Sequence, residues 1–219
     1  YFSDGSRKFL YHIRNAASGV IGKSRIVSSY FKGARFLHIN GSAVSINQAW
    51  KETIYSAIET AKKNGVKISF DPNIRPEILG VDKVRALCQP IIESASIIFP
   101  SGEEATMLTG NKDPEAAALA LLEKGAEIVV LKKGSKGSTV YSQGTKYDVP
   151  AFEVEEIDPT GAGDCFDAGF LVSLIHKRSL KESARYANAV GALAVTRKGP
   201  MEGAPFPEEV DKIMTLSKK

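Results

Sequence analysis

The sequence predicts an α/β fold, a doubly wound and mostly parallel sheet flanked by helices, with a β-hairpin toward its C-terminal part. Three observations carry that expectation. Short β-branched runs recur, each near-continuously apolar, as in strands buried on both faces of a parallel sheet. Segments of helical periodicity separate them, so strand, helix and strand alternate. Between Ser138 and Phe152 the pattern changes to two short strands around a Ser-Gln-Gly turn, which reads as an antiparallel hairpin.

In chain order, strands are expected at Phe36–Asn40, Lys67–Asp71, Ser96–Pro100 and Glu127–Lys132. Trp50, Ile54 and Ile58 recur every four residues and place an apolar stripe on a helix between the first two. That helix closes on Lys62, Lys63, Asn64 and Gly65, cations in a last turn followed by a left-handed cap. A second helix is expected over Asp113–Lys124, stopping at Gly125. The hairpin pairs Ser138–Tyr141 with Lys146–Phe152. Two helices follow, over 161–177 and 180–198. The second carries Ala184, Ala187, Gly191 and Ala194 on one face, small residues that let another element approach closely.

The 219 residues suffice for one sizeable core and read as one domain. Apolar residues at 43% and charged residues at 25% are ordinary for a soluble globular chain. The net charge of +4 is scattered, so no basic stripe points to nucleic acid. No run approaches the ~18–20 apolar residues of a membrane span. Cys88 and Cys165 are the only cysteines, without a Cys-x-x-Cys pair or a nearby His at ligand spacing, which argues against zinc and disulfides and suits a reducing cytoplasm. The chain opens on Tyr1 with no signal-peptide pattern, which reads as a truncated or proteolytic edge.

The most informative stretch is Asp158-Pro159-Thr160-Gly161-Ala162-Gly163-Asp164-Cys165-Phe166-Asp167-Ala168-Gly169. Two glycines around an alanine leave backbone N–H groups unobstructed where the apolar pattern of Phe166, Phe170 and Leu174 begins. A glycine-rich turn at a helix N-terminus favours an anion. Asp164, in the first turn, would border a phosphate held there and could take a proton from an attacking hydroxyl. The same residues serve equally well as a capped helix with glycines chosen for tight packing.

This stretch resembles the second signature of the ribokinase (PfkB) carbohydrate kinases. The resemblance implies that Asp164 is a catalytic base and that the amides of Gly161, Ala162 and Gly163 form an anion hole for the transferring phosphoryl group. Phe70-Asp71-Pro72-Asn73-Ile74-Arg75 ends an expected strand and is similar to the family's Asp-x-Asn-x-Arg segment, which places Asn73 and Arg75 at the substrate. Ser101-Gly102-Glu103-Glu104 resembles the Asn-x-x-Glu motif, with Ser101 where the family has Asn. Glu104 would then act on magnesium through water. Lys132 to Ser138, with Gly134 and Gly137, resembles the nucleotide-side loop, and Asn188 and Gly199 resemble positions around the adenine. Tyr11-His12-Ile13-Arg14 is similar to a substrate-facing strand of the sugar-acid members, with Arg14 as the contact.

Other patterns lead nowhere. Gly22-Lys23-Ser24 lacks the first glycine of a P-loop, since position 17 is Ala17. Gly161, Gly163 and Phe166 fail the third glycine of a dinucleotide fingerprint. Cys165 reads as a small buried thiol. His38 and His176 have no partner at catalytic or metal spacing.

The resemblance runs to about Pro207 and implies a ribokinase-like fold with ATP and Mg2+ as cofactors and room for a monovalent cation. The family's first signature, a Gly-Gly segment, is not found, so residues 1–219 are expected to be one kinase domain lacking its N-terminal segment and lid. The expected partner is a sugar or sugar acid, 2-keto-3-deoxygluconate foremost and fructose as rival, with no nucleic acid or membrane and room for a homo-oligomer. The runner-up class is a non-catalytic nucleotide- or sugar-binding homologue, against which the Asp164 carboxylate counts.

Overall fold

The structure is a computed structural model that describes residues 20–75 and 79–216. A six-stranded sheet holds β1 (Phe36–Asn40), β2 (Lys67–Asp71), β3 (Ile97–Ile98), β4 (Ile128–Lys132), β5 (Ser138–Ser142) and β6 (Thr145–Val149) in that spatial order. The first four strands run parallel, and β5 and β6 are antiparallel to their neighbours. Helix α1 (Gln48–Lys63) joins β1 to β2, and α2 (Val81–Ile92) joins β2 to β3. Helices α3 (Gly102–Thr109) and α4 (Pro114–Glu123) join β3 to β4, while α5 (Ala162–Ile175), α6 (Leu180–Ala194) and α7 (Pro207–Leu216) follow the hairpin.

Alternation along the strands decides which helices cover which face. Val129 and Leu131 of β4 point into one core with Ile54, Ile58 and Ile91 from the crossover helices. Val130 between them points the other way, into a core with Phe99, Phe166, Phe170 and Ala187. The sheet is therefore apolar on both sides, which is why its strands read as continuous apolar runs.

Local chemistry explains most boundaries. The Asn47 side chain accepts the Trp50 N–H and caps α1, which buries Ile54, Ala57, Ile58 and Ala61. Asp113 caps α4 through the Ala116 N–H, with Pro114 in the first turn. β6 stops at Val149 because Pro150 has no N–H to continue the ladder. The expected small-residue face of α6 does admit a neighbour: a Cβ on Gly169 of α5 would lie 3.0 Å from Val190 of α6.

Where the structure differs, the cause is visible. β3 shrinks to two paired residues, although the Ser96 and Phe99 amides still bond Ile68 O and Phe70 O, each at 2.8 Å. α2 escapes sequence reading because Pro90 sits inside it, yet Val84, Cys88, Ile91 and Ile92 are buried at helical spacing. The sequence reading also left out α3, which opens on a capping box with Ser101 and Glu104 reciprocally bonded, and α7, which starts on Pro207 followed by Glu208 and Glu209.

Candidate active site

Parallel pairing brings the C-terminal ends of the strands to one edge of the sheet. Asn40 lies opposite Asp71, and Lys132 bridges to Ser101 at the start of α3. The N-terminus of α5 arrives at the same edge, where the position of a Cβ on Gly163 is 3.7 Å from Lys132 Nζ.

Gly161 precedes α5 with φ of 82°, a left-handed conformation that an L side chain rarely adopts. A Cβ there would come within 2.6 Å of Pro200 O, so both backbone and surroundings demand glycine. The Ala162 N–H donates to Pro159 O at 3.3 Å, and the first helical bond runs from Cys165 N–H to Gly161 O. Among the described residues, the Gly163 and Asp164 amides have no backbone acceptor, as expected for the first turn of a helix. Asp164 itself is exposed.

A cavity of about 620 Å³ opens beside this turn, lined by the Gly134–Gly137 loop, Lys132, Pro150, Phe152, Gly163 and Asn188, among others. Its size is that of a small-molecule site. Gly137 shapes it, because a Cβ there would meet Val149 O at 2.1 Å, so the loop can lie flat on the end of β6 only as glycine.

Beneath the turn lies a buried charged cluster. Lys132 Nζ is 3.1 Å from Asp71 Oδ2 and 3.4 Å from Asp167 Oδ1, and both carboxyls are nearly inaccessible. Burial opposes the Lys132 charge, but Asp167, Asp71 and Glu104 outweigh it and hold its pKa above the ordinary value. Burial raises Asp167 well above the usual carboxylate range; Lys132 opposes this rise and Asp71 adds to it. Two carboxyls thus share one ammonium in a dry site, and Asp71 makes the shorter contact to Lys132.

His38 of β1 completes this edge. Its Nδ1 is 3.0 Å from Ser69 Oγ and its Nε2 is 3.9 Å from Asp167 Oδ2. Its pKa is lowered, by burial first and by Lys132, against the opposing pull of Asp71 and Asp164. An unfolded chain protonates this ring near 6.5 whereas the folded one resists, so its contribution to stability is present above that pH and lost as pH falls through the lowered value. The melting temperature is therefore expected to decline from pH 7 to pH 5, and His38→Gln to flatten the decline. Equal slopes for the two proteins would assign the effect to another group.

Several expected site residues meet here. Asp164, Gly161, Ala162 and Gly163 form the turn, and Lys132, Gly134, Gly137, Gly163 and Asn188 line the cavity. Asn73 follows β2 with φ of 38°, its N–H donating to Asp71 Oδ1 at 3.3 Å. Arg75 is half-buried and donates from Nη1 to Ile74 O. Arg14, with Tyr11 and His12, lies outside the described residues.

Other expectations need adjustment. Glu104 is no free metal carboxylate: Oε1 accepts the Ile74 N–H at 3.0 Å and Oε2 the Ser101 N–H at 2.8 Å, tying α3 to the loop after β2. Each oxygen keeps lone-pair capacity, and among the described residues no three His, Cys, Asp or Glu converge as a metal cage. That donor set suits an ion carried largely by phosphates and water. Asn188 spends both Nδ2 hydrogens on Val149 O and Pro150 O, which pins the hairpin to α6. Gly199 is not among the cavity-lining residues; its amide donates to Asp158 Oδ2 at 3.0 Å.

Sequence reasoning passed over His38 and assigned no role to Asp71 or Asp167. Asp167 carried a signal: an acid one turn after Asp164, between Phe166 and Phe170 on the apolar face, is a charge in a place that requires a partner.

Fold and site together have a match. The sequence profile of the pfkB family carbohydrate kinases fits residues 3–207. The chain belongs to that family. Among relatives of this pfkB family kinase, the Arabidopsis thaliana protein assigned as fructokinase-5 is 32% identical over 99% of this chain and 69% of its own length. The 2-dehydro-3-deoxygluconokinase of Bacillus subtilis is 29% identical over 98% of this chain and 67% of its own length. A crystal structure of an E. coli protein assigned as ribokinase II, in complex with ATP and Mg2+, superposes with a TM-score of 0.91 at 36% identity, covering 97% of this chain and 68% of that one. The fold is ribokinase-like, and the protein is an ATP-dependent carbohydrate kinase.

Proposed function

We propose that this kinase transfers the γ-phosphoryl group of ATP to a hydroxyl of a sugar acid of the 2-keto-3-deoxygluconate type, with Asp164 as the base. The observation that carries the reading is the exposed Asp164 carboxylate on the same turn that borders a nucleotide-sized cavity. The Gly134–Gly137 loop and Asn188 belong to the nucleotide side in this reading, and Asn73, Arg75 and Arg14 to the acceptor side. Asp164 accepts the hydroxyl proton as the oxygen attacks in line, and the open amides of the Gly161–Asp164 turn take up charge on the transferring group. Glu104 would hold Mg2+ through water, and the ion would supply neutralisation of phosphate charge.

The sugar-acid assignment rests on arginine. A guanidinium fork matches a carboxylate bidentately, whereas hydroxyls can be met by neutral side chains. The similarity to the B. subtilis 2-dehydro-3-deoxygluconokinase supports it, while the similarity to the Arabidopsis fructokinase favours fructose as the second reading. Charge-assisted hydrogen bonds contribute about 1.5–3 kcal/mol each. Arg75→Met is therefore expected to penalise an acidic acceptor at least ~10-fold more than a neutral one. Steady-state kcat/KM across a panel of sugars and sugar acids measures this. A parent enzyme that prefers fructose or ribose, or a variant that harms both acceptor classes equally, would sink the sugar-acid assignment and leave the kinase assignment standing.

A further inference from the structure

Lys132 faces three elements at once. Its Nζ contacts Asp71 at the end of β2 and Asp167 in α5, and lies beneath Gly163 of the turn. Its N–H donates to Pro100 O at 2.8 Å, just before Ser101 caps α3. Asp71 in turn accepts the Asn73 N–H, and Glu104 the Ile74 N–H. A continuous chain of contacts thus joins Asp167 and the phosphate-side turn, through Lys132 and Asp71, to the loop that carries Asn73 and Arg75.

Stability alone does not account for such a cluster. A buried ion pair or triad can often be replaced by well-packed apolar residues with no loss, because desolvation offsets the attraction. A charged group held by two carboxyls is also poorly placed to serve chiefly as a ligand for phosphate. Fixing geometry remains, and displacement of a reacting group by about 1 Å can cost ~10²-fold in rate.

We propose that Asp167 is a positioning residue that, with Asp71, clamps Lys132 beneath the Gly161–Asp164 turn and couples the acceptor loop to it. The proposal rests on the reading of Asp164 as the base. It assigns Lys132 to the alignment of the two substrates and not to nucleotide affinity.

The test compares Asp167→Ala, Asp167→Asn, Lys132→Met and the Asp167→Ala/Lys132→Met double variant, by steady-state kinetics, ADP affinity and melting temperature. Asp167→Ala and Lys132→Met are each expected to lower kcat by about 10–100-fold and to change ADP affinity by less than about threefold. The double variant should be no worse than Lys132→Met, because the two residues act as one unit. Asp167→Asn keeps the shape and an oxygen that can accept from Lys132 Nζ, and should recover most of the loss.

A folded Asp167→Ala with parental kcat, or losses that add in the double variant, overturns the clamp. So does a Lys132→Met variant whose defect lies in ADP affinity with kcat retained. If Asp167→Ala does not fold, Asp167→Asn and Lys132→Met carry the test: the clamp requires kcat to be lost in the lysine variant and largely kept in the asparagine one. The two readings fail separately. Parental turnover in Asp164→Asn removes the base, whereas loss there with parental turnover in Asp167→Ala removes only the clamp.

Discussion

Asp164→Asn is expected to lower turnover by about 10²- to 10⁴-fold, the usual loss when a positioned base is removed. The amide keeps the size and shape of the carboxylate but cannot accept the hydroxyl proton. The side chain is exposed and lies outside the core clusters, so its replacement should leave folding intact. The cavity is lined by other residues, from Lys132 through Val195, so ADP affinity should remain close to that of the parent. Single-turnover phosphoryl transfer and ADP titration on the same preparation separate the two quantities. Near-parental transfer by a folded Asp164→Asn protein would remove Asp164 from the chemistry.

The second large effect is expected at Gly161. Alanine there must adopt a φ of 82°, which costs an L residue about 1–2 kcal/mol, and its methyl would press to 2.6 Å from Pro200 O. The turn cannot keep its course under both demands. Its shift would misaim the Gly163 and Asp164 amides and the Asp164 carboxylate together, and losing one donor of this kind typically costs about 10²–10³-fold. Gly161→Ala should accordingly lose ~10²-fold or more in kcat, with a modest drop in melting temperature. An alanine variant with parental kcat and stability would show that the turn tolerates displacement.

Much of this molecule can be read directly from the chain. Strands β2, β3 and β4 announce themselves because both faces are buried, and an apolar run survives without its context. α1 and α4 declare their ends through Asn47, Asp113, Pro114 and Gly65, whose chemistry is local. The Gly161–Asp164 turn is legible for the same reason, since its backbone conformation resides in consecutive residues. α2 was obscured by Pro90 and α3 by its own motif, Ser101 and Glu104 being read for metal chemistry when they first serve as reciprocal caps. His38 was set aside because its partners Ser69 and Asp167 stand 31 and 129 positions away in the chain.

The amino-acid order alone determined the fold class, the order of its strands and the glycine turn before α5, because strand burial, capping and left-handed glycines act over a few residues. The tertiary structure decided which distant groups share one dry space. Asp71, Lys132 and Asp167 belong to three elements with no periodicity in common, and only the parallel register and the arrival of α5 bring them within 3.1–3.4 Å contacts of the same ammonium. The raised pKa of Asp167 follows from that convergence, since burial and neighbouring charge are properties of the folded chain.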